Sequence, residues 1–143
     1  MNYSMVFRIV GRISGMLAVI LLIPSAVSLI YKESIRGFAA AILISAALCV
    51  FCHFITRNKT IRMFSKEGFA SVALSWIMLS LIGAVPFVVE GEIPSYIDAL
   101  FETISGFTTT GASILKDVES MSRGLLFWRS FTHWIGGMGI LVL

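Results

Sequence analysis

The sequence predicts an all-α membrane protein, made of transmembrane helices plus one re-entrant helix and loop. Three observations carry this expectation. First, 57% of the residues are hydrophobic and only 13% are charged, about half the charged share of an ordinary soluble domain. Second, the apolar residues gather into four long runs, each of a length suited to a bilayer. Third, the segment between the third and fourth runs is helix-like but short. Residues 95–105 reach roughly 16 Å, about half the thickness of a hydrocarbon core.

The first run covers residues 13–31, with Arg8 and Arg12 ahead of it. A cleaved leader is the competing explanation. However, Ala26-Val27-Ser28 makes a poor cleavage site, and the run continues through Leu29 and Ile30. The second run covers 38–55 and the third 69–89. The fourth begins near Gly124 and is still apolar at Leu143, so the chain is expected to stop inside a helix. Charge sets the direction. The 56–68 loop carries Arg57, Lys59, Arg62 and Lys66 against Glu67 alone, whereas 90–123 carries Glu90, Glu92, Asp98, Glu102, Asp117 and Glu119 against Lys116 and Arg123. Positive flanks stay inside, so the N-terminus and the 56–68 loop are expected in the cytoplasm. The short loop opens from the outside, and the nearly balanced 32–37 loop is outside by parity. The sequence pI near 9.1 is explained by these span ends, so membrane lipid is expected as a partner and nucleic acid is not.

Pro94 and Ser95 open the short helix, and Ser95 with Asp98 reads as a capping-box-like signal. Ile97, Leu100, Phe101 and Ile104 form one apolar stripe, with Asp98, Glu102 and Ser105 opposite. Gly106 is placed to end the helix in the left-handed conformation. Its C-terminal partial charge would favour a cation near the membrane centre. Phe107-Thr108-Thr109-Thr110-Gly111-Ala112-Ser113 then returns outward. Irregular backbone survives at that depth only where protein or a water path satisfies it. Threonine hydroxyls, carbonyls and a glycine are suited to replacing a monovalent cation's water shell. Ion permeation is the expectation, with Asp98 and Glu102 raising the local cation concentration. The competing structural reading is an amphipathic helix and polar loop lying outside the membrane.

Other patterns weigh less. Cys49-Val50-Phe51-Cys52-His53 matches the C-x-x-C-H haem-attachment pattern, but it lies near the cytoplasmic end of a span, so no cofactor is expected. The cysteines read as small apolar residues. Asn58-Lys59-Thr60 is a glycosylation acceptor on the wrong side of the membrane. Gly11 and Gly15, and Gly136, Gly137 and Gly139, are expected to let helices approach closely, the second group against the short helix or its loop. Arg129 and His133 share a face of the fourth run. Arg129 either snorkels outward or makes a polar contact to the neighbouring segments, and His133 is expected to be packed and hydrogen-bonded. An intramembrane enzyme using Asp98, Glu102 and His133, and a non-conducting assembly subunit, are the alternatives to permeation.

The segment from Ser105 to Ser113, followed by His133-Trp134-Ile135-Gly136-Gly137-Met138-Gly139-Ile140, resembles the Trk-type potassium uptake proteins (the TrkH/TrkG branch of the Trk/Ktr/HKT superfamily). Gly83-Ala84-Val85-Pro86-Phe87 and Asp98-Ala99-Leu100-Phe101-Glu102 share in the resemblance. It implies four span–pore-helix–span repeats around one pore. Residues 1–67 would supply two extra leading spans and 68–143 the first repeat, truncated within its second span. Potassium ligands would fall at Thr109 and Thr110, with Thr108 and Gly111 adjoining, Gly111 standing at the filter-glycine position. Against the channel pattern Thr-Val-Gly-Tyr-Gly, Thr110, Ala112 and Ser113 replace the valine, tyrosine and second glycine. One repeat supplies one quarter of each carbonyl ring, so this stretch alone should not conduct. The resemblance further implies a bacterial inner-membrane location, a homodimer, and a cytoplasmic regulatory ring that binds nucleotide.

Overall fold

The computed structural model describes residues 3–57 and 65–142, with side chains described through Gly139. The described residues form seven helices and no strand: α1 (Tyr3–Ile20), α2 (Leu22–Ile30), α3 (Arg36–Thr56), α4 (Ser65–Gly83), α5 (Val85–Val89), α6 (Tyr96–Phe107) and α7 (Arg123–Val142). Lys59, Arg62 and the Asn58-Lys59-Thr60 acceptor lie outside the described residues.

Three helical stretches are long and apolar enough to cross a membrane: Tyr3–Ile30, Arg36–Thr56 and Ser65–Val89. The fourth expected run forms α7, which has 20 residues but is not among these three. Length is not what sets it apart: Arg129, Thr132 and His133 dilute its apolar character. The first and third spans are each broken once, at Leu21 and at Ala84. Each break falls just ahead of a proline, Pro24 and Pro86. A proline ring collides with the carbonyl four residues earlier and lacks an N–H to bond it, so the helix is interrupted there.

The core runs through Leu17, Leu21, Phe38, Ile82, Phe87, Phe107, Leu125 and Trp128, which are all buried. Leu43, Phe51, Phe69 and Ile77 are exposed along the spans, as side chains meeting lipid would be. The α1–α3 crossing is built on small residues. A Cβ at Gly11 would lie 2.5 Å from the Cys52 Cβ, and one at Gly15 would lie 2.9 Å from the Cys49 Sγ. Ser14 donates to the Ser45 carbonyl across the same seam at 2.8 Å. The two cysteines thus fill the volume that close helix approach leaves.

Acids of the loops between helices cap other helices. The Glu33 carboxylate accepts from the Arg123 and Gly124 amides at 2.7 and 2.9 Å, at the start of α7. Glu90 accepts from the Gly37 amide at 2.7 Å, at the start of α3. Glu92 accepts from the Ser122 amide at 2.8 Å. Each satisfies amides that a helix start or its approach leaves without partners, and each places a negative charge at the positive end of a helix dipole.

Candidate functional site

α6 begins as its sequence suggests. Ser95 is the N-cap, its side chain accepting from the Asp98 amide at 3.4 Å. The helix has 12 residues, roughly 18 Å, too short to span. Its end corrects one expectation. Gly106 is not the left-handed terminator: the helix continues to Phe107, with Thr108 as its C-cap in the right-handed region. Gly106 is glycine because a Cβ there would lie 2.1 Å from the Thr132 Oγ1 of α7. The left-handed residues are Thr109, at φ 57°, and Gly111, at φ 75°. The turn is therefore made three residues later than expected. For a β-branched threonine that conformation is costly, and the surrounding bonds hold it there.

Those bonds radiate from Ser105. Its carbonyl accepts from the Thr110 and Gly111 amides at 3.0 and 3.4 Å, and its hydroxyl donates to the Ala112 carbonyl at 2.5 Å. Thr108 donates its one hydroxyl proton to the Ile104 carbonyl at 2.8 Å, so in the 2.8 Å contact between the Thr108 and Thr110 hydroxyls, Thr110 is the donor. Thr109 Oγ1 donates to the Thr108 carbonyl at 2.7 Å. All three threonine hydroxyl protons are spent within the loop. The carbonyl oxygens of Thr109, Thr110 and Gly111 accept no hydrogen bond among the described residues, and residues 108–113 are exposed. The turn thus presents a short run of free carbonyls at the negative end of a helix dipole, an arrangement suited to a cation.

Glu102 does not face open solvent as a vestibule acid would. It is 1% exposed and is paired with Arg129 of α7. It also accepts from the Ser113 hydroxyl at 3.0 and 3.1 Å and from the Ile114 amide at 3.1 Å. One carboxylate therefore ties together the short helix, the outgoing loop and α7. Arg129 points at this acid and not outward past it. Asp98, half-buried, sits one turn earlier, in the first turn of the helix. His133 contacts the Arg129 carbonyl through Nδ1 at 2.9 Å. Of the three groups of the alternative enzyme reading, Glu102 is thus fully occupied by structural partners.

The loop is backed by aromatic packing. Phe107 stands edge-on to Trp76 and Trp128, with ring centroids 5.9 and 6.4 Å away. The Trp128 Nε1 donates to the Gly83 carbonyl at 3.0 Å, at the break between α4 and α5. The glycines of α7 divide. A Cβ at Gly136 would fall 2.1 Å from the Phe107 carbonyl oxygen, and one at Gly139 would fall 3.0 Å from Trp76. Gly137 has only an ordinary neighbour, Thr109 Cγ2 at 3.9 Å from such a Cβ. The sequence places Ser105 on the polar face of the short helix and Ser113 at the second-glycine position, but assigns neither a bonding role; a serine on either side of a left-handed turn is the available signal.

Residues 31–143 match the family model TrkH, described as a cation transport protein. The chain belongs to the TrkH family. Within the family, it is 37% identical over 96% of its length to the Trk system potassium uptake protein TrkH of Escherichia coli (strain K12). It is also 37% identical, over its whole length, to the Trk system potassium uptake protein TrkG of the same organism. The chain spans about 30% of the length of these curated relatives. Among solved structures, the potassium transporter TrkH from Vibrio parahaemolyticus superposes with a TM-score of 0.91 at 34% identity, covering 100% of this chain and 31% of that one. The TrkH-family match takes in α3 to α7, and so the whole of the site described above.

Proposed function

We propose that this chain is the leading part of the pore-forming subunit of a potassium uptake system. Residues 1–67 would be two spans ahead of the pore, and residues 68–143 would be the first of its span–pore-helix–span units. α6 is the pore helix and 108–111 the filter strand. Thr109 and Thr110 hold the ion through backbone oxygens, with Thr108 and Gly111 framing them. The observation that carries this reading is the free carbonyl run of Thr109, Thr110 and Gly111 at the end of a helix too short to span. Carbonyls with no protein donor can replace a potassium ion's water shell. The three threonine hydroxyls stabilise the strand, since their protons are already committed.

Asp98 is assigned to cation attraction at the outer mouth, and Glu102 to holding the filter strand. The relatives named as Trk system potassium uptake proteins support potassium as the ion. The basic flanks support an N-terminus inside the bacterial inner membrane. A homodimer and a cytoplasmic nucleotide-binding regulatory subunit complete the proposal.

The test is ion selectivity in the full-length protein reconstituted in vesicles. Gly111→Ser is expected to bring the potassium and sodium fluxes closer together. There is open space around a Cβ at Gly111, so the substitution acts through the left-handed backbone, which costs a non-glycine residue roughly 1–2 kcal/mol. Equal potassium/sodium flux ratios in wild type and variant would refute the filter assignment.

A further inference from the structure

A second polar recess lies far along the chain from the filter. Arg8 and Arg12 of α1 face His53, Thr56 and Arg57 at the end of α3 across a cleft of about 310 Å³. That volume is at the small end of ordinary ligand sites. Gly11 and Cys49 complete its lining. The Arg8 guanidinium donates to the Thr56 carbonyl at 2.6 Å, which satisfies a helix-terminal acceptor and fixes that positive charge at the rim. Arg12 and Arg57 are exposed, and the bonds of the described residues include no acidic partner for either. The lining holds three guanidiniums and an imidazole and no carboxylate. Cations gathered this way repel one another until an anion joins them.

Depth identifies the anion's setting. The stretch Tyr3–Ile30 has 28 residues, so it is roughly 42 Å long, about 12 Å more than a hydrocarbon core. Tyr31 and Lys32 mark its far boundary, where an aromatic ring and an ammonium suit the interface. The excess length then falls at the N-terminal end, over residues 3–10, and sets Arg8 at headgroup level and Arg12 at the edge of the hydrocarbon, within snorkelling reach of the headgroups.

We propose that this recess binds a phosphate group, supplied by an anionic phospholipid of the surrounding leaflet. Basic pockets between spans are suited to such headgroups. The inference needs only the membrane placement of α1 and α3, and it is independent of which ion the filter passes.

The test uses the full-length protein in detergent, titrated with phosphatidylglycerol, with phosphatidylcholine, or with inorganic phosphate, and read by native mass spectrometry and thermal shift. The wild type is expected to retain phosphatidylglycerol over phosphatidylcholine. Arg12→Gln with Arg57→Gln is expected to weaken that retention about fivefold per arginine, the factor equivalent to about 1 kcal/mol each. Arg12→Lys with Arg57→Lys keeps the charge and is expected to keep most of the retention, which separates anion binding from a folding defect. Equal phosphatidylglycerol retention by wild type and the glutamine variant overturns the proposal. Stabilisation by inorganic phosphate with no preference between the two lipids overturns the lipid source and assigns the recess to a soluble ion. Because transport is not the readout, a failed filter assignment leaves this result standing, and the reverse also holds.

Discussion

Single atoms decide several positions in this chain. Gly136 is one, because the space a methyl group would need is already filled by the Phe107 carbonyl oxygen. That oxygen belongs to backbone immediately before residues 108–111, the proposed filter strand, and cannot swing aside as a side chain would. Gly136→Ala in the full-length protein is expected to cost about 1–3 kcal/mol, the range for overpacking a filled site. A lowered thermal midpoint checks this, with Gly137→Ala as the mild comparison, since its Cβ would meet only Thr109 Cγ2 at 3.9 Å. The cluster of α7 glycines was legible as a close-packing signal, but their ranking was not: glycines one or three positions apart look alike in sequence, while only their direction on α7 decides which one meets backbone. Gly106 was misread for a related reason. A glycine near a helix end reads as a terminator, and nothing local reveals a threonine on a distant helix pressing against it.

At the scale of elements, the spans were readable because long apolar runs have few other uses in a chain with so little charge. Their interruptions at Leu21 and Ala84 were harder to foresee, since a proline inside an apolar run is tolerated in membrane helices. The caps supplied by Glu33 and Glu90 left no local trace, because each serves a helix start far away in sequence. The Glu102–Arg129 pair spans 27 positions. Its signal was half visible: an arginine within a span needs a partner, and the short helix offered two acids without indicating which one turns inward. This pair joins α6 to α7 in a nearly dry setting, so removing one partner strands the other. Glu102→Met or Arg129→Met alone is expected to lower stability by about 3–5 kcal/mol, and the double replacement by less than either single change. Denaturation of the four members of the cycle measures the coupling, and simple additivity would show that the pair is not the link between the two helices.

For the molecule as a whole, the exposed strand 108–111, the proposed filter, has one face of contacts within this chain, namely α6 and α7, and an open side that the proposed further repeats would cover. The 143-residue chain, reconstituted alone, is therefore expected to give potassium flux no greater than that of protein-free vesicles, whereas the full-length protein is expected to conduct. Measurable flux from the short chain would mean that copies of it complete a pore among themselves. The burial of Glu102 beneath Ser113 and Arg129 has a further consequence for how the two acids of α6 act. Attraction of an ion by an accessible carboxylate is screened by salt, with a Debye length of about 30 Å at 0.01 M and about 3 Å at 1 M. The uptake deficit of Asp98→Asn is expected to shrink as ionic strength rises, since salt hides from the approaching ion a charge that has already been removed. The deficit of Glu102→Gln is expected to persist at every salt concentration, because what it loses is the registration of a strand, and mobile ions cannot restore that.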